Sequence, residues 1–545
     1  MYPPGGQHFS VDFPDVIEEL ADAFEGDGFE LDTMNQNQNI VIAFSVALLV
    51  LLYTFDPNIG AYSDSVRYYV LGQSISMGTG LTSIWDATAP PDTISSPGYP
   101  ILIALLSMIS GESILLIKVV NGLFFLALTV LGYRLMIRLG MDHVVVLPSI
   151  LLLTFNLHLV KHASLMMTEL PYLFLVTLSL FFLVRSERQV GDIIDMNFIL
   201  GIIFAIVSFY FRPVGATLLF AVFFNELWHK RWRRLLISVG LPLLAISPWI
   251  MRSINLEGIT NTELFTSAES AYPQLIPAGF IDYTVRLYKN IWYIDSVELI
   301  RGFLPFLRSA AEWHFIVGVL LGTTVGGIVV LGRNGITCFR VLIFGYVLLN
   351  IGLILAVPYI FMLSRLFIPV LPFIAVMFVN GVHHLAHKLP MPLLSRGVYL
   401  LVIGIIITGS AINTSRLRED RIKPLPPGFV RYHKAAKWAR DNLPAYANMG
   451  TMFGERFFLY GGRVTSSLPI TDDPYFFTQL LSMQGVTHVF KDEIIWSLSS
   501  GYSIGSAVAL KPAIEKYPTA FEEVFRSDEG NTSIYRFIPD SVRTP

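Results

Sequence analysis

Apolar runs long enough to cross a bilayer fill most of the chain between residues 39 and 424. A hydrocarbon core of about 30 Å needs about 20 apolar residues per helix. Runs of roughly this length predict eleven membrane-spanning helices in the sequence. They are 40–55, 113–134, 143–159, 166–184, 197–210, 214–228, 235–251, 314–332, 340–357, 366–384 and 397–412. The pattern therefore predicts a mainly α-helical membrane protein.

The runs 197–210 and 214–228 are short and could form one long, kinked segment. Arg212 and Pro213 lie between them. Proline disfavours a helical conformation at the residue before it, and an arginine is costly in lipid. Two helices with a turn at Arg212–Pro213 are therefore expected.

Composition agrees with a membrane location. Charged residues make up 14% of the chain and hydrophobic residues 53%, with a mean hydropathy of +0.58. These values exclude a disordered chain and disfavour an ordinary soluble enzyme. The net charge of −3 gives no sign of nucleic-acid binding. The single cysteine, Cys338, excludes an intrachain disulfide and a cysteine-based metal cluster.

The charge balance divides the chain into three parts. Residues 1–38 contain nine acids and no Lys or Arg, whereas 425–545 contain twelve acids and twelve bases. We expect an acidic tail at 1–38, a membrane domain at 39–424 and a small water-exposed α/β domain at 425–545. In that last domain the pattern predicts helices at 430–442 and 504–517, a strand at 486–490, and a hairpin of 524–526 with 533–537.

Basic residues predict the orientation of the spans, because cytoplasmic loops are enriched in Lys and Arg. One set of short loops holds twelve bases. They are Arg134, Arg138, Arg185, Arg188, Lys230, Arg231, Arg233, Arg234, Arg333, Arg340, Lys388 and Arg396. The N-terminus is then cytoplasmic, and the odd number of spans places 425–545 outside. Two long loops, 56–112 and 252–313, are also expected outside and to be partly helical, which suggests chemistry or recognition on that side.

Acidic residues near the outer surface are few, so each is a candidate. Asp64 follows the first predicted span and begins an aromatic-rich helix, where partial desolvation would suit a general base. The alternative is an N-cap for a helix beginning at Ser65. Glu169 opens the span predicted at 166–184, where an intramembrane acid is a functional candidate. Its alternative is a favourable charge at a helix N-terminus.

Basic and imidazole side chains supply two further hypotheses. Arg212, Arg252 and Arg365 lie at outer ends of predicted spans and could hold a phosphate. The alternative is that they extend to the membrane interface without binding anything. His158 and His162 have the i, i+4 spacing of metal ligands. Without a third ligand, interfacial polar residues are the simpler interpretation.

Several short motifs occur in order along the predicted spans. They are Asp64 with the aromatic helix up to Gly80, Ser96–Leu102 (SPGYPIL), Met167–Leu170 (MTEL), Phe211–Pro213 (FRP), Ser247–Trp249 with Arg252, and Arg365–Pro372. Together they resemble the GT-C class of membrane glycosyltransferases over about residues 40–540. The most similar branch uses polyprenyl-phosphate sugars, like the protein O-mannosyltransferases and the aminoarabinose transferases of lipid A. The sequence departs from the aminoarabinose transferases at one place. Those proteins have a Glu-Lys pair just before the prolines of the motif, where this chain has Ile94-Ser95-Ser96, and the nearest acid is Asp92.

The resemblance implies an inverting sugar transfer at the outer membrane face, from a polyprenyl-phosphate donor to a hydroxyl acceptor. Asp64 would act as the general base, and Glu169 is the other catalytic candidate. The donor phosphate would be held by Arg365, then Arg212, Lys161 and Arg252. Tyr68, Tyr99 and Tyr359 would contact substrate. No cofactor is implied, no metal site is indicated although a divalent cation is compatible, and the acceptor is left open among lipid, glycan and protein.

Two other functions fit the pattern less well. A transporter or lipid-linked sugar flippase would use many spans and broken helices, but we find no internal repeat. Lys118 is the main charge inside the predicted spans, whereas transport requires charges at mid-membrane depth. A receptor or assembly scaffold would bind ligands through 425–545. A multi-pass protein of the plasma membrane is the expectation for all three.

Overall fold

The computed structural model describes residues 30–59, 63–187, 194–256, 284–285, 288, 322–328, 339–356, 363–422, 425–469, 471, 473–492, 509–528 and 532–542. The acidic tail up to residue 29, Tyr359 and most of the predicted outer loop 252–313 lie outside these ranges. The predicted tail boundary at residue 38 falls inside a helix, since the first described helix begins at Glu30.

The described residues between 30 and 422 are mainly helical. The helices are α1 (Glu30–Thr54), α2 (Ser63–Ser76), α3 (Gly98–Ser110), α4 (Ile114–Arg138), α5 (His143–Thr154), α6 (Leu157–Ala163), α7 (Glu169–Glu187), α8 (Met196–Phe211), α9 (Ala216–Trp228), α10 (Trp232–Asn255), α11 (Phe344–Ala356), α12 (Leu363–Phe367), α13 (Leu371–His387) and α14 (Pro392–Ile422). Helices α2 and α3 occupy the predicted outer loop 56–112, which is partly helical as expected.

Among the described residues, five helical segments are long and apolar enough to cross a membrane, or six if α5 and α6, bent by 58°, form one span. The five lie within α1, α4, α7, α10 and α14. Shorter apolar helices of 10–17 residues lie at Gly98–Ser110, Met196–Phe211, Pro213–Trp228, Val341–Leu355 and Leu371–His387. The described residues therefore confirm a multi-span helical domain, and the count of eleven stays a prediction. Of the predicted span 314–332, only 322–328 is described, and it is helical.

The break predicted between 197–210 and 214–228 is confirmed. Helix α8 ends at Phe211, Arg212 is extended (φ −150°, ψ 130°), and a short 3₁₀ turn at Pro213–Gly215 leads into α9. The proline ring fixes φ for the first turn of the next helix and excludes helix at Arg212. Arg212 is thereby held at the junction of two helices, at the end of the bundle where α7 begins.

Helix α7 is the central helix of the bundle, because 89% of its apolar stretch is buried against other parts of the structure. It packs most closely on α8. A Cβ at Gly201 would lie 2.6 Å from Cγ of Leu183, so only glycine permits this approach. Ser179 donates a hydrogen bond across the contact to the Gly201 carbonyl at 2.6 Å. Because α7 is fixed on all sides, its first residue, Glu169, has a fixed position at the end of the bundle.

The C-terminal residues form a five-stranded sheet with flanking helices. The elements are α15 (Pro427–Asn442), β1 (Met449–Thr451), α16 (Gly454–Gly461), β2 (Thr465–Ser467), α17 (Pro474–Met483), β3 (His488–Lys491), α18 (Lys511–Lys516), β4 (Phe521–Arg526) and β5 (Ser533–Phe537). The strand order is β2-β1-β3-β5-β4. Strands β2, β1 and β3 are parallel, and β3, β5 and β4 are antiparallel. The predicted strand at 486–490 and the predicted hairpin correspond to β3 and β4–β5, and the described part of the predicted helix 504–517 is α18.

The first outer loop extends this sheet. Thr465 of β2 donates its backbone N–H to the Trp85 carbonyl at 2.7 Å, and its carbonyl accepts from Ala87 N at 3.0 Å. This places Asp86 beside Thr465 in parallel orientation. Trp85 is buried in a core formed by α2, α3 and residues Phe458–Tyr460 of α16. The C-terminal residues are therefore packed against the loop that contains α2.

Candidate active site

Two carboxylates and two arginines from four separate parts of the chain meet at one end of the bundle. Nη1 of Arg365 donates to Oδ2 of Asp64 at 2.7 Å, and its Nε donates to Oε1 of Glu169 at 2.6 Å. Nη1 of Arg212 lies 2.6 Å from the same Glu169 oxygen. We call Asp64, Glu169, Arg212 and Arg365 the carboxylate–arginine cluster. All four residues are candidates from the sequence.

Local structure explains how each member is presented. Asp64 lies in the first turn of α2 and Glu169 is the first residue of α7. Both positions favour a negative charge at a helix N-terminus. Arg212 lies at the α8–α9 break, and Arg365 lies in the short helix α12 just before α13. Helix α2 begins at Ser63, so Asp64 lies inside its first turn. Asp64 therefore does not cap a helix that starts at Ser65, which was the alternative interpretation.

Burial separates the two carboxylates. The Glu169 side chain is 1% exposed, whereas that of Asp64 is 47% exposed. Two arginine contacts converge on Oε1 of Glu169, and its Oε2 is buried without a hydrogen-bond partner among the described residues. The two arginines balance the two negative charges, which a buried carboxylate requires. Glu169 is thus an anchor for both guanidinium groups, and Asp64 is the carboxylate that a ligand can reach.

Arg365 is coupled electrostatically to both carboxylates of the cluster. Burial opposes its charge, but Glu169 and Asp64 together raise the pKa of the Arg365 guanidinium above its ordinary value. The Arg365 side chain is 23% exposed and lies beside the half-exposed carboxylate of Asp64. An arginine can contact an anion through several N–H groups at once. The cluster therefore presents an anion-binding group beside an accessible carboxylate.

Tyr68 lies one helical turn after Asp64 and borders the cluster. Burial raises the pKa of the Tyr68 phenol to about 12, and the neighbouring Asp64 carboxylate adds to the shift. Its ring makes an edge-to-face contact with Tyr99, the ring centres being 5.5 Å apart. Tyr99 is fully buried, and its hydroxyl donates to Oδ1 of Asn121 at 3.1 Å. Tyr99 therefore supports Tyr68 from behind and presents no surface to a substrate, contrary to the expected contact.

His162 lies behind Glu169 in the interior. Its Nε2 is 3.9 Å from Oε1 of Glu169, and its Nδ1 is 2.7 Å from the carbonyl of His158. The Nδ1 of His162 is thus occupied by a backbone group instead of pointing with His158 at a shared metal position. Across the described residues, no group of three or more His, Cys, Asp and Glu side chains is arranged for a metal ion.

Two of the predicted phosphate ligands have other contacts. Arg252 donates from Nη1 to the Asp92 carbonyl at 3.1 Å, and its guanidinium stacks on Trp249 at 4.9 Å. It braces the outer loop and is not a member of the cluster. The backbone carbonyl of Lys161 accepts from Nη2 of Arg421 at 2.7 Å, and phosphate binding by the Lys161 ammonium stays a prediction. Tyr359, the remaining predicted substrate contact, lies outside the described residues.

Two cations fix the chain leading to Asp64, a role that sequence reasoning missed. Lys118 is fully buried in the first turns of α4 and donates to the carbonyls of Asp56, at 2.6 Å, and Asn58. Arg421, near the end of α14, donates to the carbonyl of Thr54 and to Oγ of Ser164. The sequence does show Lys118 as a charge within an apolar helix, which indicates that it has a buried partner. Its backbone partners could not be inferred from sequence.

Asp92 also has a structural role. It is the acid nearest to Ile94-Ser95-Ser96, which stands where the aminoarabinose transferases have a Glu-Lys pair. It is buried, forms an ion pair with Arg67, and accepts from Ser95 N at 2.7 Å. Arg67 lies on α2 and also donates to Oγ of Ser95 at 3.0 Å and packs over Trp85. This network ties α2 to the loop that extends the C-terminal sheet. Asp92 thus fixes the helix that carries Asp64 and is separate from the carboxylate–arginine cluster.

No protein-family model matches this sequence. No curated protein matches it either. Solved structures with similar folds are found.

The oligosaccharyltransferase of Archaeoglobus fulgidus, in a complex with zinc and sulfate, is 13% identical with a TM-score of 0.55, over 92% of this chain and 73% of its own. ArnT from Cupriavidus metallidurans bound to undecaprenyl phosphate is 12% identical with a TM-score of 0.53, and the match covers 93% of this chain and 99% of ArnT. The arabinofuranosyltransferase AftD from mycobacteria is 12% identical with a TM-score of 0.53, and the match covers 91% of this chain and 40% of AftD. The chain therefore has the fold of the GT-C class of membrane glycosyltransferases.

Proposed function

We propose that this protein is an integral membrane glycosyltransferase that moves a sugar from a polyprenyl-phosphate donor to a hydroxyl acceptor. The observation that carries the proposal is Arg365, whose guanidinium joins the exposed carboxylate of Asp64 to the buried carboxylate of Glu169. A transferase of this kind needs a base for the acceptor and a cation for the leaving phosphate within a few ångströms of each other. The GT-C fold supports the same reaction class.

Asp64 is the general base in this mechanism. The acceptor oxygen attacks the anomeric carbon while Asp64 takes its proton, and the bond between that carbon and the phosphate oxygen breaks. The lipid phosphate leaves with the electron pair of the broken bond, and the configuration at the anomeric carbon is inverted. Asp64 then gives the proton to water. Its 47% exposure allows the acceptor to approach, which the 1% exposure of Glu169 does not.

Arg365 changes partners as the donor binds. In the structure, Nη1 of Arg365 contacts Asp64 at 2.7 Å. A donor phosphate would compete for that group, because arginine binds phosphate through paired N–H donors. Release of Asp64 from Arg365 would free its carboxylate to take the proton of the acceptor at the moment when the donor is in place. Binding of the donor and activation of the acceptor are thereby linked through one side chain.

Glu169 acts as a positioning group for Arg212 and Arg365. Glu169 holds Arg212 and Arg365 through one oxygen, at 2.6 Å in both cases. The fixed guanidinium groups face the developing negative charge of the phosphate without having to reorganise, which is where such groups lower a barrier most. Tyr68, with its ring beside the cluster and a protonated hydroxyl, would line the sugar position.

The donor class follows from chemistry and from one structural neighbour. A cationic site at the end of an apolar helical bundle suits a phosphate on a membrane-embedded chain. The ArnT structure contains undecaprenyl phosphate, which is a carrier of this kind. We propose that the site faces the extracytoplasmic side of the plasma membrane, as the distribution of Lys and Arg predicts. The C-terminal residues 425–545 would then be a small extracytoplasmic α/β domain covering the first outer loop.

Transfer from a panel of radiolabelled polyprenyl-phosphate sugars into a membrane extract tests the proposal. Wild-type protein would be compared with Asp64→Asn and with Asp441→Asn, which changes a 61% exposed acid of the C-terminal domain. We expect transfer by the wild type and by Asp441→Asn, and a loss of about 100-fold or more for Asp64→Asn, the size of a general-base contribution.

Retained activity in a folded, membrane-inserted Asp64→Asn variant would contradict the assignment of the base. Transport of the labelled lipid across proteoliposomes, without transfer to any acceptor, would contradict the enzyme proposal and support a flippase. Product stereochemistry separates the inverting mechanism from a retaining one. The acceptor class follows from whether the label is recovered in lipid, glycan or protein.

A further inference from the structure

A groove on the lipid-facing side of the bundle lies between α1 and α14, and none of its lining residues belongs to the carboxylate–arginine cluster. It is lined by Val46, Leu49 and Leu52 of α1, by Phe155, and by Thr414 and Arg418 of α14, among others. Leu49 and Leu52 are 67% and 66% exposed. Since α1 and α14 are both long apolar helices, these exposed side chains face the hydrocarbon of the membrane. The apolar part of the groove must therefore be filled by lipid.

The groove has one polar end. The guanidinium of Arg418 lies 4.2 Å from the ring centre of Tyr53, and the Tyr53 hydroxyl interacts with the side chains of Ser415 and Arg418. Stacking on an aromatic ring and bonding to a hydroxyl orient a guanidinium that would otherwise be free to turn. The polar end thus presents a held cation together with hydroxyl groups.

The order of these groups matches a phospholipid. Val46 and Tyr53 are seven residues apart on α1, so the groove runs for about 10 Å along the helix from apolar to polar. Its polar end is at the end of α1 that contacts Arg421 and the loop leading to Asp64. An acyl chain would lie along Val46–Leu52, and a phosphate would meet Arg418 at the interface. Glu419 also lies near Tyr53 and disfavours a second negative charge on the ligand.

We propose that the α1–α14 groove binds a membrane glycerophospholipid, with one acyl chain on α1 and the phosphate diester on Arg418 and Tyr53. Simple extension of Arg418 to the interface would explain its position but not the stacked ring and hydroxyl that orient it. The site is distinct from the proposed donor site, whose cations are Arg365 and Arg212. The inference does not depend on the proposed reaction.

Native mass spectrometry of the full-length protein, titrated in detergent with phosphatidylglycerol, tests the site. Dioleoylglycerol, which has the chains without the phosphate, is the matched lipid. The variants are Arg418→Gln, Leu49→Trp to fill the apolar part, and Arg416→Gln as the control, an exposed arginine outside the groove lining. A melting curve for each variant confirms that it is folded.

We expect the wild type and Arg416→Gln to retain phosphatidylglycerol in preference to dioleoylglycerol. Retention should fall about tenfold or more in Arg418→Gln, the effect of losing a charge-assisted contact. It should also fall in Leu49→Trp, in which Arg418 is intact. Equal retention of both lipids, or a loss in Arg416→Gln as large as in Arg418→Gln, would overturn the proposal. So would displacement of phosphatidylglycerol by undecaprenyl phosphate, because the groove would then belong to the donor.

Discussion

The guanidinium of Arg365 lies between two carboxylates, with Nε 2.6 Å from Oε1 of Glu169 across 196 residues of sequence. Its Nη1 contacts Asp64, 301 residues away, at 2.7 Å. One side chain therefore connects the first helix of the outer loop with the central helix of the bundle. This arrangement places a cation, an accessible base and a buried anchor in one cluster.

Arg365→Lys should keep the positive charge but lose the simultaneous contact with Asp64 and Glu169. A lysine has one ammonium and cannot hold both carboxylates with the geometry of a planar guanidinium. We expect kcat/KM to fall about 100-fold, which corresponds to about 2.7 kcal/mol of transition-state stabilisation. Steady-state transfer kinetics measure it. Arg396→Lys, an exposed position near the other end of the bundle, should leave the rate unchanged.

Glu169→Gln should destabilise the membrane domain. The substitution removes the charge that holds two buried arginine contacts, and breaking such an arrangement costs about 3–5 kcal/mol. The melting temperature of the detergent-solubilised protein should fall clearly. The double variant Glu169→Gln/Arg212→Gln should recover part of the loss, because one uncompensated cation is removed. An unchanged melting temperature in the single variant would show that the ion pairs contribute nothing.

Lys118→Met should loosen the segment that precedes Asp64. Lys118 supplies the hydrogen-bond donor for the carbonyls of Asp56 and Asn58. Without it, those carbonyls lose a charged partner, and we expect faster hydrogen exchange in residues 54–59. Transfer should fall with it, since α2 is less well held. Lys388→Met, an exposed lysine, is the control, and equal exchange rates in both variants would contradict the role of Lys118.

Trp85→Ala should separate the C-terminal domain from the first outer loop. Trp85 is 8% exposed, and its carbonyl accepts the N–H of Thr465. Truncating a core tryptophan costs about 3–5 kcal/mol, so limited proteolysis near residues 81–95 should accelerate. The matched variant Trp228→Ala removes a side chain that is 74% exposed and should have no such effect. The same cleavage rate in wild type and Trp85→Ala would rule out this contact as a brace.

His433 should make the C-terminal domain sensitive to acid. Burial lowers the pKa of the His433 imidazole to about 4, and the neighbouring Arg456 adds to the shift. The unfolded chain binds a proton near pH 6.5 that the folded domain does not, so stability falls as the pH drops from about 6.5 towards 4. We expect the melting temperature of His433→Gln to depend less on pH across this window than that of the wild type. Parallel curves for the two proteins would remove His433 from the explanation.

The sequence by itself determined the membrane-helical class and the residues of the cluster. Acids and arginines are rare beside long apolar runs, and burying such charges is costly, so Asp64, Glu169, Arg212 and Arg365 could be selected individually. The split at Arg212–Pro213 was also readable, because proline constrains the backbone locally.

Only the tertiary structure decided which of these side chains meet. Sequence position along a helix gives depth but not the direction that a side chain faces once the bundle is packed. For that reason the sequence ranks Arg365 before Arg252 but cannot show that Arg252 contacts the Asp92 carbonyl, nor that Tyr99 is buried behind Tyr68. The pairing of Lys118 with backbone carbonyls, and of Trp85 with β2, depends on segments far apart in the chain. Such contacts are set by the packing of the whole fold, and no local pattern encodes them.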